Sequence, residues 1–292
     1  MFQRALICTN FEDGLNRLVD FVPFLAKGGL KKIVFLHCVS LWAEGTIPRE
    51  DSAKITEGKK RLHNALKNVP EGVEVFVEVV SGAPLEIIPR ILNNFQIDVI
   101  LLGAHIRSSL EDKIFGSTST GLAKLTELPL MVFRPELIST YTEEELALRC
   151  QHLWREILIP YNDSSTAHYL IARIKEYAMH KPFNSFERCR LIWVIEEKGG
   201  REAIADYFVD DAHKKLVAVQ KELEQLNLQV DVEVRRGDSL PEIIAAATDF
   251  DTSAIAIASE TRKNLLELTL KSFSFELLHK SWFPLLFFSP KK

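Results

Sequence analysis

Short apolar runs alternate with amphipathic stretches along the whole chain. In the first half, Arg4 to Thr9, Lys32 to Val39, Val73 to Val80, Asp98 to Leu102 and Leu130 to Phe133 are rich in Val, Ile, Leu and Phe. Apolar runs of this length suit strands covered on both faces, as in a parallel sheet. Helical spacing fills the intervals. Leu15, Leu18, Val19, Val22 and Leu25 recur on one helical face, and Pro84 stands where a helix accepts proline at its first position. Pro89 is expected to kink or shorten that helix, because its ring meets the carbonyl four residues back. The second half repeats the alternation, with strands expected near 156–160, 189–196, 230–236, 253–258 and 284–288. Such alternation implies right-handed βαβ crossovers and an α/β fold, a parallel sheet covered by helices.

The two halves also match residue by residue. Gly82 pairs with Gly237, Arg107 with Arg262, Ser117 with Ser272, Ser119 with Ser274, Pro129 with Pro284 and Pro135 with Pro290, all 155 positions apart. Nearer the start the spacing is 152, pairing Leu6-Ile7 with Leu158-Ile159 and Asn10 with Asn162. A drift of a few residues is what loop insertions between two copies produce, and the period is too long for a solenoid. The pattern therefore reads as two tandem domains, 1–136 and 154–292. The linker between them, 137–153, carries Thr142-Glu143-Glu144-Glu145, which fits a helix-opening capping box.

Composition agrees and narrows the possibilities. A chain of 292 residues with 47% apolar content is long enough for two domains, each with its own core. Its 36 Lys and Arg against 40 Asp and Glu leave no basic footprint for nucleic acid. Cys8, Cys38, Cys150 and Cys189 form no CxxC, which argues for reduced thiols and a cytoplasmic setting rather than a disulfide framework or zinc site. No apolar stretch approaches the ~20 residues of a membrane span, and the N-terminus lacks a signal-like apolar region.

Candidate chemistry lies where strands end, since open parallel sheets bind ligands at their carboxyl edge. The first strand runs into Cys8-Thr9-Asn10-Phe11-Glu12-Asp13. The fourth runs into Gly103-Ala104-His105-Ile106-Arg107, after which Phe115-Gly116-Ser117-Thr118-Ser119 opens a helix. Glycine and hydroxyl residues at a helix start leave backbone N–H groups free for an anion, and Gly103 lets backbone approach a ligand closely. The same residues also serve as plain N-caps, with Arg107 and Lys113 on a solvated loop face. His37 and His105 have no carboxylate or thiol partner at a telling spacing and read as structural. Metal-ligand spacing, a nucleophile elbow, GxGxxG and a P-loop are all absent, so no catalytic residue is assigned.

The order of these segments resembles the universal stress protein family across nearly the whole chain, in two tandem copies. From Gly103 the spacing through Ile106 to Gly116-Ser117 follows the family's Gly-x2-Gly-x9-Gly-Ser/Thr, with Ile106 at the second glycine. Cys8 to Asp13 is similar to its Pro-Thr-Asp-Phe-Ser-Glu, Phe35-Leu36-His37-Cys38-Val39 to its Leu-Leu-His-Val strand, and Pro129 to Arg134 to its closing Pro-Val-Leu-Val-Val-Arg. The resemblance implies two domains, each an open five-stranded parallel sheet of order 3-2-1-4-5 with helices on both faces. It also implies an ATP or other adenine-nucleotide site in the first, formed by Thr9, Asn10, Cys38, Gly103, Ile106, Gly116, Ser117 and Thr118. In that scheme Asn10, after the first strand, and Cys38, next to the second-strand His37, contact the base, and the glycine loop with its following hydroxyls holds ribose and phosphates.

Departures from the pattern leave two outcomes open. Asn10 keeps a carbonyl acceptor but not the charge of the family's Asp. Ile106 either fills the phosphate space or points outward on a loop of different path. The second copy is further altered: Asn162-Asp163-Ser164 keeps a polar turn, but Ala258-Ser259-Glu260-Thr261 and Leu270-Lys271-Ser272-Phe273-Ser274 contain no glycine. Nucleotide binding is expected in the first copy alone. The apolar fifth strands, Leu130 to Phe133 and Trp282 to Phe288, are expected to join the copies as an internal pseudo-dimer, with a homodimer of whole chains also open. The function that follows is a non-enzymatic stress-response or signalling protein. The alternatives are a degenerate protein working through protein contacts and, third, a nucleotide-hydrolysing enzyme.

Overall fold

The computed structural model describes residues 1–41, 49–103, 121–123, 125–182, 185–196, 202–259 and 273–289. Two compact units divide the chain, one of Phe2–Gln151 and one of His152–Lys292 together with Met1. Each is described by itself.

The N-terminal unit contains β1 (Arg4–Cys8), β2 (Lys32–Val39), β3 (Glu74–Ser81), β4 (Val99–Gly103) and β5 (Leu130–Phe133). They pair in parallel in the order β3-β2-β1-β4-β5. The central strand shows why the apolar runs were readable: Ala5, Leu6 and Ile7 are wholly buried, as are their β4 neighbours Val99, Ile100 and Leu101. Asp98 pins the start of this pair, accepting hydrogen bonds from the Gln3 and Arg4 backbone N–H groups and an ion pair of 2.6 Å from Arg4.

Around this sheet lie a 3-10 turn, Leu15–Phe21, that runs into α1 (Val22–Lys27), then α2 (Ser52–Leu62) and α3 (Pro84–Phe95). The five apolar positions expected on the first helix are all buried. Pro89 does not shorten α3, which continues through it to Phe95. Proline at this point removes one hydrogen bond, and the continuous face of Ile87, Ile88 and Ile91, buried against the sheet, outweighs that loss. Two further helices, α4 (Pro135–Thr140) and α5 (Glu143–Gln151), close the unit. The capping box is formed: Glu145 N–H donates to Thr142 Oγ1 at 3.3 Å and Thr142 N–H to Glu145 Oε2 at 3.2 Å. Arg17 donates to the carbonyls of Ile138 and Tyr141. These helices are thus packed structure and not a tether.

The C-terminal unit repeats the plan with β6 (Glu156–Pro160), β7 (Arg188–Ile195), β8 (Gln229–Arg236), β9 (Ala254–Ala258) and β10 (Leu285–Phe288), ordered β8-β7-β6-β9-β10 and parallel. Its described helices are α6 (Ser165–Ala178), α7 (Glu202–Glu224), α8 (Ser239–Asp249) and α9 (Phe273–Lys280). The repeat extends to backbone conformation. Gly82 and its counterpart Gly237 both end their third strands with left-handed φ, 136° and 133°, a geometry that glycine alone adopts without strain.

Candidate functional site

In the N-terminal unit the carboxyl ends of β1, β2 and β4 meet at the turn after β1. Thr9 is buried there, and its hydroxyl is fully used: Oγ1 donates to Asp13 Oδ1 at 2.7 Å and accepts the Phe11 N–H at 3.0 Å. Asp13 is the organiser of the turn. Only 5% exposed, it also accepts the Leu15 N–H at Oδ1 and the Asn10 N–H at Oδ2. Asn10 is exposed, and its side-chain carbonyl accepts the Glu12 N–H at 2.9 Å, an Asx turn that leaves the amide nitrogen as the group it presents.

Phe11 follows with φ of 69°, a left-handed conformation costly for a bulky residue. Its ring lies against His37, with centroids 4.2 Å apart, and the Arg61 guanidinium sits over it at 3.8 Å. His37 Nδ1 lies 2.8 Å from the Thr9 carbonyl, which can only accept, so Nδ1 carries the proton. Histidine, phenylalanine and arginine thereby form one column at the edge of the site. Gly58 on α2 makes room for it, since a Cβ there would lie 3.3 Å from the His37 ring.

Gly103 ends β4 directly against this turn. A Cβ at that position would fall 2.5 Å from the Asp13 Cβ, so the close approach that glycine permits here is to Asp13. Cys38 is half-buried, and burial pushes its thiol up to about 11. Burial, with the charges of Cys38 and Asp13 adding to it, raises Cys8 well above its ordinary value. Both therefore stay protonated and act as small apolar surface. Thr9, Asn10, Cys38 and Gly103 thus fall at one edge. Ile106, Gly116, Ser117 and Thr118, with His105, Arg107 and Lys113, lie outside the described residues.

The C-terminal unit fills the corresponding place with its own side chains. Asp163, in the position of Phe11, has the same left-handed φ, 59°. Its carboxylate takes the Tyr161 hydroxyl at 3.2 Å, His168 Nε2 at 2.9 Å and Lys215 Nζ at 2.9 Å, and Lys215 also pairs with Asp211 at 3.1 Å. The hydrogen bond from Lys215 holds Asp163 below the usual carboxylate range. Burial, then the Asp163 charge, pushes the Tyr161 phenol up to about 12. Trp193, matching His37, packs edge-on to Tyr161. Asn162 repeats the Asx turn by accepting the Ser164 N–H, and Ser164 caps α6. Glu260, Thr261, Lys271 and Ser272 of the second loop lie outside the described residues.

Asp13, Phe11, His37 and Arg61 are the organising residues that sequence reading did not select. Asp13, four residues after Thr9 in a polar turn, carried a usable signal. Arg61 carried none, because its partner lies 50 positions earlier in the chain. Among the described residues no group of His, Cys, Asp or Glu is arranged to hold a metal, and no helix is long and apolar enough to cross a membrane.

Each unit is thus a doubly wound α/β domain whose central strands end at one carboxyl edge, the place where such sheets hold ligands. The Universal stress protein family model matches residues 1–134 and again 154–289, and the chain belongs to this family as a tandem member. Universal stress protein Slr1230 of Synechocystis sp. is 29% identical over 122 residues, covering 42% of this chain and 40% of that protein. Universal stress protein MJ0577 of Methanocaldococcus jannaschii is 29% identical over 83 residues, covering 28% of this chain and 51% of that protein. The chain therefore spans about half or less of the curated relatives it matches. A universal stress protein from Archaeoglobus fulgidus shares the fold over 100% of this chain and 98% of its own, with a TM-score of 0.65 at 18% identity.

Proposed function

We propose that the N-terminal unit binds ATP or another adenine nucleotide, and that the protein works in stress response or signalling through occupancy of that site and not through turnover. The observation that carries this reading is the difference between the two carboxyl edges. In the N-terminal unit Asp13 and Thr9 satisfy one another, and the exposed Asn10 amide stands beside a strand that ends in glycine. In the C-terminal unit Asn162 keeps the same exposed Asx turn, but the ion pair of Asp163 with Lys215 stands where the N-terminal unit has Phe11, and the strand matching β4 ends in Ala258 instead of glycine. Thr9, Asn10, Cys38 and Gly103 belong to the proposed site on this reading, with Ile106, Gly116, Ser117 and Thr118 supplying its loop.

Absence of turnover is supported by what the edge lacks as chemistry. The Thr9 hydroxyl donates to a carboxylate already committed to two backbone N–H groups, and both nearby thiols are held protonated. Among the described residues of the edge, no side chain is an activated nucleophile. The C-terminal unit then contributes structure or a partner surface. We assign residues 1–136 and 154–292 to the two domains, with 137–153 between them. An internal pseudo-dimer through the fifth strands is supported by their composition, since Leu130 to Phe133 and Leu285 to Phe288 are wholly apolar at the edge of each unit's order. A homodimer and a cytoplasmic setting complete the proposal.

Thermal-shift measurements with ATP, ADP and AMP at millimolar concentration, beside a phosphate-release assay, test it. Stabilisation without release is expected. No shift with any nucleotide would favour the second reading, action through protein contacts alone, which the Ile106 substitution and the filled edge of the C-terminal unit support. Sustained release of phosphate would make the protein an enzyme.

A further inference from the structure

We propose that a cleft between the first two helical segments of the N-terminal unit receives the Tyr207 side chain of a second copy of this chain. Neither a bound nucleotide nor the fifth strands take part in this contact.

The two units keep one register through these helices. Leu15, Leu18, Val19 and Val22 are buried, and so are Ala167, Leu170, Ile171 and Ile174, each 152 positions later. Gly58, Leu62 and Ala65 are buried, and so are Ala212, Leu216 and Val219, each 154 positions later. The match sets Arg61 opposite Lys215, Pro23 opposite Lys175 and Asn68 opposite Glu222. In the C-terminal unit Lys175 and Glu222 form an ion pair of 2.9 Å that bridges α6 to α7. Pro23 and Asn68 cannot form one. A cleft of about 210 Å³ lies between them instead, with the buried Val19 and Val22 as its floor and Lys67 on its rim. Asp20 lines it too, and its Oδ1 accepts the Asn64 amide at 2.9 Å.

Size, polarity and charge select the occupant. Pockets for small molecules run to about 300–1,000 Å³, so this cleft suits one side chain and not a cofactor. An apolar floor under a polar rim suits an aromatic ring with a polar tip. The helix beside it is basic: residues 51–68 hold Lys54, Lys59, Lys60, Arg61 and Lys67 against Asp51 and Glu57. Asp51 is taken up by Lys54 at 3.1 Å, and among the described residues Lys59, Lys60 and Lys67 form no ion pair.

The complement stands near the start of α7. Tyr207 is 69% exposed and Phe208 51%, with ring centroids 5.9 Å apart. The register sets them opposite Ala53 and Lys54, so the aromatic pair belongs to the C-terminal unit alone. Residues 196–211 hold six carboxylates against Lys198 and Arg201. Asp206 pairs with Arg236 and Asp211 with Lys215. Asp210, exposed and one helical turn from Tyr207, forms no ion pair among the described residues. With the Tyr207 ring on Val19 and Val22, its hydroxyl donates to Asp20, and Asp210 meets Lys67. The contact joins unlike surfaces, the cleft of one chain and the α7 of another.

Sedimentation equilibrium of the full chain tests this, from about 5 to 500 µM because a contact of this size is weak. The variants are Tyr207→Ala, Lys67→Glu, Asp210→Lys and the last two combined. All three positions are exposed, so each variant should melt within about 4 °C of wild type. Wild type should self-associate as concentration rises, and each single variant should raise the dissociation constant at least about tenfold. The combined variant should recover most of that loss. An equal mixture of Lys67→Glu and Asp210→Lys chains should associate although neither does so alone, since every cleft then meets an opposite charge. A mixture that restores nothing would overturn the proposal, as would a wild type that stays monomeric throughout. Self-association untouched by every variant would also overturn it, by placing the contact on another surface.

Discussion

Replacing Gly103 with alanine tests the packing on which the N-terminal edge depends. The added methyl carbon would lie 2.5 Å from the Asp13 Cβ and 3.3 Å from its Cγ. One of the two segments must therefore move by nearly 1 Å to reach an ordinary carbon contact. Asp13 cannot yield freely, because the Thr9 hydroxyl and the Asn10 and Leu15 N–H groups all bind its carboxylate. Overpacking of this kind costs about 1–3 kcal/mol, and each hydrogen bond to a buried charge that lengthens adds roughly 1 kcal/mol. A total of about 2–4 kcal/mol corresponds to a fall of about 5–15 °C in the melting temperature of the N-terminal unit. Scanning calorimetry reads this directly. The control is the same substitution in an Asp13→Gly background, where the opposing Cβ is gone and Gly103→Ala should cost less than about 1 kcal/mol. A melting temperature within about 1 °C of wild type for Gly103→Ala alone would refute the reasoning, since the turn would then be loose enough to move aside.

Other expectations follow from the same structure. Thr142→Ala removes one half of the capping box and should cost about 1 kcal/mol in urea unfolding, with Thr142→Ser close to neutral; no loss would show that α5 is held by packing alone. Cys150 and Cys189 are buried, with thiols pushed up to about 12, and Cys8 and Cys38 are raised as well. A thiol reagent at pH 8 should therefore find almost no fast-reacting cysteine in the native protein and all four after denaturation; one rapid native thiol would contradict the burial. Tyr161 is raised from 10.0 to about 12. A group raised on folding keeps its full contribution below its unfolded value and loses it as pH climbs through the folded one. Stability should accordingly fall between pH 10 and 12 more steeply in wild type than in Tyr161→Phe, and parallel curves would refute the assignment.

Much of this architecture was legible along the chain, for reasons that particular residues make plain. Strands covered on both faces must be apolar throughout, so Ala5 to Ile7 and Val99 to Leu101 announced themselves. Gly82 and Gly237 matched because both backbones turn through a conformation closed to other residues. The capping box at Thr142 is local and was readable as such. Pro89 misled because local propensity sets the cost of a proline, while burial of Ile87, Ile88 and Ile91 sets what the helix can withstand. The edge itself was half visible. Asn10 and Gly103 stand where strands end, which the pattern locates. The Phe11 conformation runs against its propensity, and the contact with Arg61 exists only after α2 has packed on the sheet. The change from Phe11 and Arg61 to Asp163 and Lys215 becomes meaningful once the two turns are known to share a backbone.

The most direct measurement is the stoichiometry of ATP binding to the full chain by titration calorimetry. One ATP per chain, unaffected by Lys215→Met and abolished by Gly116→Trp, is the expected result for a protein whose N-terminal unit alone keeps a nucleotide site. Two per chain would contradict the neutralised edge of the C-terminal unit, and none would contradict the site itself.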